Sequence, residues 1–234
     1  MSFWIWEPTA KRYRLTTEGA DALSQKPGTF VSQAKMLSLR DEYIAARKDN
    51  TNALANQLAK GDMTLNEWTL AMRQEVKDNF VNQYMLAHGG RNSMTQADWG
   101  RVGQMVRGQY EYLNAFADQI ASGDYSEQAI AARSRMYIEA SGQAFERGKI
   151  AAQGVPDLPA FPSDGQTRCL TNCKCAWEIK ETSTEWRAFW RLSSAEHCPD
   201  CVGNAEKWNP LVISKSDAPT KAALLERVEE LQNV

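Results

Sequence analysis

The sequence predicts a mainly α fold: an antiparallel helical body with an extended N-terminal arm before it and a small C-terminal β-hairpin module after it. Three observations predict this. No proline lies between Pro27 and Pro156, which leaves room for several uninterrupted helices. Inside that interval apolar residues recur every three or four positions. Beyond it the pattern changes to two alternating runs, and all five cysteines (169, 173, 175, 198 and 201) flank them.

Residues 1–30 hold Trp4, Trp6, Lys11-Arg12-Tyr13-Arg14 and the turn-like Lys26-Pro27-Gly28. No periodicity persists there for more than a few positions, so the segment reads as an arm that finds its apolar partner on another surface. Residues 31–153 form the helical body, with one or two helices expected over 31–60. Thr64-Leu65-Asn66-Glu67 has the form of a capping box, so a helix is expected from 64. Its stripe of Leu65, Trp68, Met72, Val76, Phe80 and Tyr84 ends at Gly89-Gly90. His88, at that end, reads as a cation facing the negative end of the helix dipole.

Thr95 to Asp98 caps a second helix with Trp99, Val102, Val106, Tyr110, Leu113, Phe116 and Ile120 on one face. Gly100, Gly103 and Gly108 inside it suggest close approach of a neighbouring helix, since each costs about 1 kcal/mol against alanine. A third long helix is expected from Ser126, carrying Ile130, Tyr137, Ile138, Ser141, Phe145 and Gly148. Residues 154–165, with three prolines and two glycines, read as a linker. Residues 166–213 form the hairpin module: Ala176–Lys180 and Trp186–Leu192 alternate around a polar turn, with a short helix expected from Val202 to Trp208. Residues 214–234 read as a C-terminal helix on the spacing of Leu224, Leu225, Val228 and Leu231.

The cysteines are candidate metal ligands. Cys169-x3-Cys173-x-Cys175 precedes the hairpin and Cys198-Pro199-Asp200-Cys201 follows it, bringing two close pairs together. Zinc favours four thiolate or imidazole ligands in a tetrahedron, and the order knuckle, hairpin, helix start resembles a treble-clef zinc module. Cys198 and Cys201 form the more ordinary pair, and Cys169 and Cys173 rank above Cys175 among the first three. His197 adjoins Cys198 and is set aside, because neighbouring residues rarely ligate one ion together. A redox Cys-x-x-Cys needs a βαβ context that this segment lacks. Four protein ligands leave no open position, so the zinc is expected to be structural.

Composition narrows the function classes. The chain has 234 residues, 43% of them hydrophobic and 24% charged, which fits a globular protein. Its 27 basic and 29 acidic residues leave a net charge of −2, against the basic excess that nucleic-acid binding favours. The helical body holds 14 of each sign, interspersed, and residues 164–201 hold five basic against six acidic. No apolar run approaches the ~20 residues of a membrane span, and the N-terminal residues lack the form of a secretory signal. The expected location is the cytosol or a particle assembled there.

Two stretches resemble the tailed-phage head morphogenesis proteins of the Mu F-like minor head group. Asp164-Gly165-Gln166-Thr167-Arg168-Cys169-Leu170-Thr171-Asn172-Cys173-Lys174-Cys175 looks like that group's C-terminal Asn-Cys-basic-Cys signature. The helical run from Leu65-Asn66-Glu67-Trp68 through His88-Gly89-Gly90 and Tyr112–Ala117 to Ala132–Ile138 is similar too, as is the segment from Arg12-Tyr13-Arg14 to Ser32. The resemblance implies a non-enzymatic minor capsid protein in the virion, present in multiple copies. It would contact the portal or major capsid protein and act in head assembly or DNA delivery, with packaged DNA as a further contact. The chain is short for the group, and its Cys198-x2-Cys201 pair belongs to only part of it. Relatives of the group have been compared with toxins and ADP-ribosyltransferases, so an enzyme is the alternative, and a nucleic-acid-binding zinc adaptor is a third reading. For the enzyme, the sequence shows no phosphate loop and no Gly-x-Ser-x-Gly, and His88 and His197 lie in separate modules.

Overall fold

A computed structural model describes residues 4–216 apart from 8, 11 and 124, with only the backbone of Ala22 and Gln33. It is mainly α, and the chain divides into two compact units, residues 1–174 and 175–234. The expected C-terminal helix of 214–234 lies outside the described residues except at its start, where Ser214 ends a strand.

The first unit opens with a three-stranded antiparallel sheet, β1 (Trp4–Glu7), β2 (Arg12–Leu15) and β3 (Phe30–Val31), in the order β1-β2-β3. A short helix, α1 (Thr17–Ala22), sits between β2 and β3. Five longer helices follow: α2 (Gln33–Lys60), α3 (Leu65–His88), α4 (Gln96–Ala121), α5 (Glu127–Glu139) and α6 (Gly142–Ala152). The capping box expected at Thr64 forms, and the cap expected at Thr95 proves to be a second one. Thr64 Oγ1 accepts from the Glu67 amide while the Glu67 carboxylate accepts from Thr64 N, and Thr95 and Asp98 repeat the exchange on α4. The α3 stripe is the core: Trp68, Met72, Val76, Phe80 and Tyr84 have no exposed surface. They pack with Val102, Val106, Leu113, Phe116, Ile130 and Tyr137.

The structure corrects five expectations. The N-terminal segment is not an arm awaiting another surface. Trp4, Tyr13, Leu15 and Val31 are buried in a second apolar cluster with Met36, Ala87 and Phe145. Trp4 Nε1 donates to Leu86 O at 2.8 Å and Tyr13 Oη to Ala87 O at 2.6 Å, so the arm's partner is the end of α3. Residues 154–165 are not a loose linker either, since Val155, Leu158 and Phe161 are buried. The Arg147 guanidinium lies 4.0 Å from the Phe161 ring centroid and pairs with Asp157 at 2.8 Å. Prolines forbid helix there, but they leave extended chain free to pack.

The long third helix is in fact two. Ser141 Oγ bonds back to Ile138 O at 2.7 Å, and Asn79 Nδ2 from α3 reaches both Ile138 O and Ser141 Oγ. Competing bonds at one carbonyl break the helix there. Finally, Gly100, Gly103 and Gly108 face open space. The close helix contact is instead at Gly148 of α6, where an added Cβ would lie 2.5 Å from Tyr84 O.

His88 also departs from the dipole reading. It is buried, stacked on Tyr84 at 5.8 Å, with Nδ1 3.0 Å from Ser93 Oγ and Nε2 3.4 Å from Asp98 Oδ2. Burial pushes the imidazole below its ordinary value of 6.5, and Asp98 only partly restores it. Asp98 is pushed up by burial, but hydrogen bonds from Thr95 and Tyr84 outweigh this and hold it below the usual carboxylate range. His88 is therefore neutral beside an ionised Asp98 at pH 7.

The second unit is a sheet of β4 (Ala176–Glu181), β5 (Glu185–Arg191) and β6 (Leu211–Ser214) in that order, all antiparallel, with α7 (Pro199–Lys207) between β5 and β6. The hairpin is the expected one, and the third strand is an addition. Trp177, Trp190 and Trp208 form its core, with ring centroids 5.3 to 5.7 Å apart.

Trp68→Ala is expected to cost about 3–5 kcal/mol in urea unfolding. Gly148→Ala should be strongly destabilising, whereas Gly103→Ala should stabilise by up to about 1 kcal/mol, because only the first forces helices apart. The pH series gives an independent check on His88. Its depressed value means the folded state disfavours the charged form, so stability present above about pH 6.5 should fall as the pH drops toward 5. His88→Gln should remove that component of the slope.

Candidate metal centre

Cys169 opens a single 3₁₀ turn, Leu170–Asn172, and Cys173 ends it. Leu170 has φ 49°, a left-handed conformation that a leucine rarely adopts. The turn is held by Leu170 N to Thr167 O at 2.7 Å and Asn172 N to Cys169 O at 3.0 Å. Thr167 Oγ1 is 3.1 Å from Cys169 Sγ, and Ser163 Oγ donates to Cys173 O at 3.1 Å. These bonds return the chain on itself, so that two cysteines four residues apart present their sulfurs together.

Cys198 is the N-cap of α7, with Pro199 at its first position. Proline there has its φ already set and no N–H to leave unsatisfied. Cys201 lies in the first turn, buried. A helix N-terminus favours negative charge, so it suits thiolates at both positions. At the other end of α7, Trp208 O accepts from Trp190 N at 3.1 Å, which fixes the helix against β5.

The structure brings Cys169, Cys173 and Cys201 together: their Sγ atoms all lie within 4.8 Å of one another. Thiolates about 2.3 Å from a tetrahedral zinc are about 3.8 Å apart, so a small inward movement closes this group on an ion. The donor set is sulfur only, which selects soft or borderline metals over calcium or magnesium. A group of three cysteines able to bind a metal is therefore present. Cys175, buried just before β4, and Cys198, half-buried, fall outside the group of three. His197, which sequence reasoning set aside, is also outside it. The Thr167 and Ser163 hydroxyls, which brace the knuckle, were not singled out from sequence; a hydroxyl two residues before the first cysteine was the available signal.

Comparison with protein-family models, with curated proteins and with solved structures finds no match.

The three grouped thiols make a specific expectation about folding. If they hold a metal, a chelator should abolish the near-ultraviolet circular dichroism of the Trp177, Trp190 and Trp208 cluster while leaving most of the far-ultraviolet helical signal, which arises from α2 to α6. Equal loss of both signals would count against a metal-dependent module.

Proposed function

We propose that this chain is a structural, non-enzymatic minor protein of a tailed-phage head, acting through protein–protein contacts in head assembly or at the portal and genome interface. One observation carries the reading. Two of the three grouped thiols, Cys169 and Cys173, fall within the Asp164–Cys175 stretch that resembles the Mu F-like cysteine signature. The part of the chain most like that group is also the part with a metal-binding arrangement.

The metal is zinc in this reading, with a structural role. Cys169, Cys173 and Cys201 supply three thiolates, and Cys198 supplies the fourth, because an N-cap position beside Cys201 is the ordinary place for a second knuckle ligand. Zinc bound by four protein ligands supplies a crosslink and leaves no position for substrate. The protein's residues then do the rest: the Thr167 and Ser163 hydroxyls orient the first knuckle, and the tryptophan cluster supports the second. In the particle, the chain would be present in several copies against the portal or major capsid protein.

Two measurements test this. Metal analysis of the purified full chain should find about one zinc per chain, lost on Cys201→Ser or Cys198→Ser and kept on Cys175→Ser. Retention by Cys198→Ser with loss by Cys175→Ser would move the fourth ligand. For the function, co-expression with the portal and capsid proteins encoded by neighbouring genes should yield particles that contain the chain. Its absence from particles, or a neighbouring gene for an antitoxin-like partner, would overturn the head assignment.

A further inference from the structure

The sheet of the second unit ends on one side in β6, and the hydrogen-bond pattern fixes which backbone groups that side presents. In an antiparallel ladder, bonded and non-bonded pairs alternate along the strand. Lys215 N donates to Thr184 O at 2.9 Å, so Ile213 opposite Trp186 and Leu211 opposite Ala188 also turn their N–H and C=O groups toward β5. Val212 and Ser214 therefore turn theirs away from the sheet, and these groups have no backbone partner among the described residues. Pro210, the next outward position, has no N–H, so the presented donors end at Val212.

The side chains leave this edge open. Unpaired sheet edges are commonly guarded by charge, and β4, on the other side of the sheet, carries Glu178, Lys180 and Glu181. The β6 sequence is Leu-Val-Ile-Ser, without a charged residue. Val212 is 52% exposed, and Ile213 is half-buried.

A twofold axis through Ile213 lets the edge satisfy itself. Antiparallel alignment of β6 with a second β6 sets Val212 of each copy opposite Ser214 of the other, and each such pair exchanges N–H···O=C bonds in both directions. Ile213 meets its own copy in the non-bonded pair between them, where side chains approach most closely. It lies on the face that carries Trp186, so the apolar face of the sheet runs on across the junction. Lys215 is held by Glu181 at 2.7 Å and falls opposite Leu211, so no like charges oppose each other along the paired strands. We infer that β6 is the contact through which two copies of this chain join, their sheets becoming one antiparallel sheet of twice the width. A flexible peptide would lose conformational freedom to gain the same few bonds, whereas a second copy supplies a strand already extended and equally uncharged. The contact uses no cysteine and no feature of the head assignment, so it holds whether or not that assignment does.

Sedimentation velocity of the full chain over a concentration series should show monomer passing into dimer. In a mixture of carbon-13-labelled and unlabelled chains, an isotope-filtered NOE should connect the Ile213 Hα protons of the two copies. Val212→Pro removes an outward N–H that no bond within the sheet uses, so the sheet should stay intact while the dimer's dissociation constant rises about tenfold or more. Val212→Lys, at the same exposed position, keeps the N–H but sets two cations near the axis, and gives the comparison should Val212→Pro not fold. A chain that stays monomeric, a dimer unweakened in a folded variant, or a dimer without the Ile213 cross-peak would overturn the inference. Slow exchange of the Val212 and Ser214 amides in the dilute monomer would overturn it too, because the chain would then cover its own edge.

Discussion

The last four carbonyls of α3, those of Met85, Leu86, Ala87 and His88, have no partners further along their own helix, and a buried helix end cannot leave them to water. Each has an external donor. Met85 O takes the amides of Gly89 and Gly90, Leu86 O the Trp4 indole, Ala87 O the Tyr13 hydroxyl and His88 O the Ser93 hydroxyl. Satisfying this one helix end recruits the N-terminal sheet, the Gly-Gly turn and the connection to α4. Gly89 makes the approach possible: it adopts φ 99°, and a side chain there would come within 2.8 Å of Trp4 O. The next layer follows from it, as His88 and Tyr84 both reach Asp98, which caps α4.

With its end fixed, α3 becomes the axis of the first unit. One stripe of it is wholly buried, and its other contacts are tuned by small or polar residues rather than by bulk. Gly148 lets α6 close on the Tyr84 backbone, and Asn79 divides what would be one helix into α5 and α6. A pocket beside Gln83 and Tyr43 lies along the same helix, next to the capped end.

The second unit solves a different problem. Among its described residues, a hairpin, one added strand and a nine-residue helix bury little surface, and Trp177, Trp190 and Trp208, with Trp186 beside them in the sheet, supply much of the core. Small modules of this size commonly need a crosslink as well. The unit's own member of the grouped thiols is Cys201, in the first turn of α7, where a bound metal ion could supply such a crosslink.

What the sequence determined by itself was whatever is decided within about four residues. The Thr64 capping box, the Thr95 N-cap, the α3 stripe, the α4 stripe apart from the half-buried Trp99, and the β4–β5 hairpin were legible, because their signals are local hydrogen bonds and local periodicity. The clustering of the cysteines was legible too, and with it the region of the candidate metal centre. What only the tertiary structure decided depends on partners far away in the chain. Trp4 meets Leu86 across 82 positions and Asn79 meets Ser141 across 62, so neither the burial of the N-terminal segment nor the break between α5 and α6 had a local sign. Strands of four residues, such as Arg12-Tyr13-Arg14-Leu15, are too short for alternation to stand out until a neighbouring surface selects one face. The same holds for the thiols: spacing nominated five, and only the turn at Leu170 and the first turn of α7 determined which three meet, since sulfur positions follow from backbone direction rather than from separation in sequence.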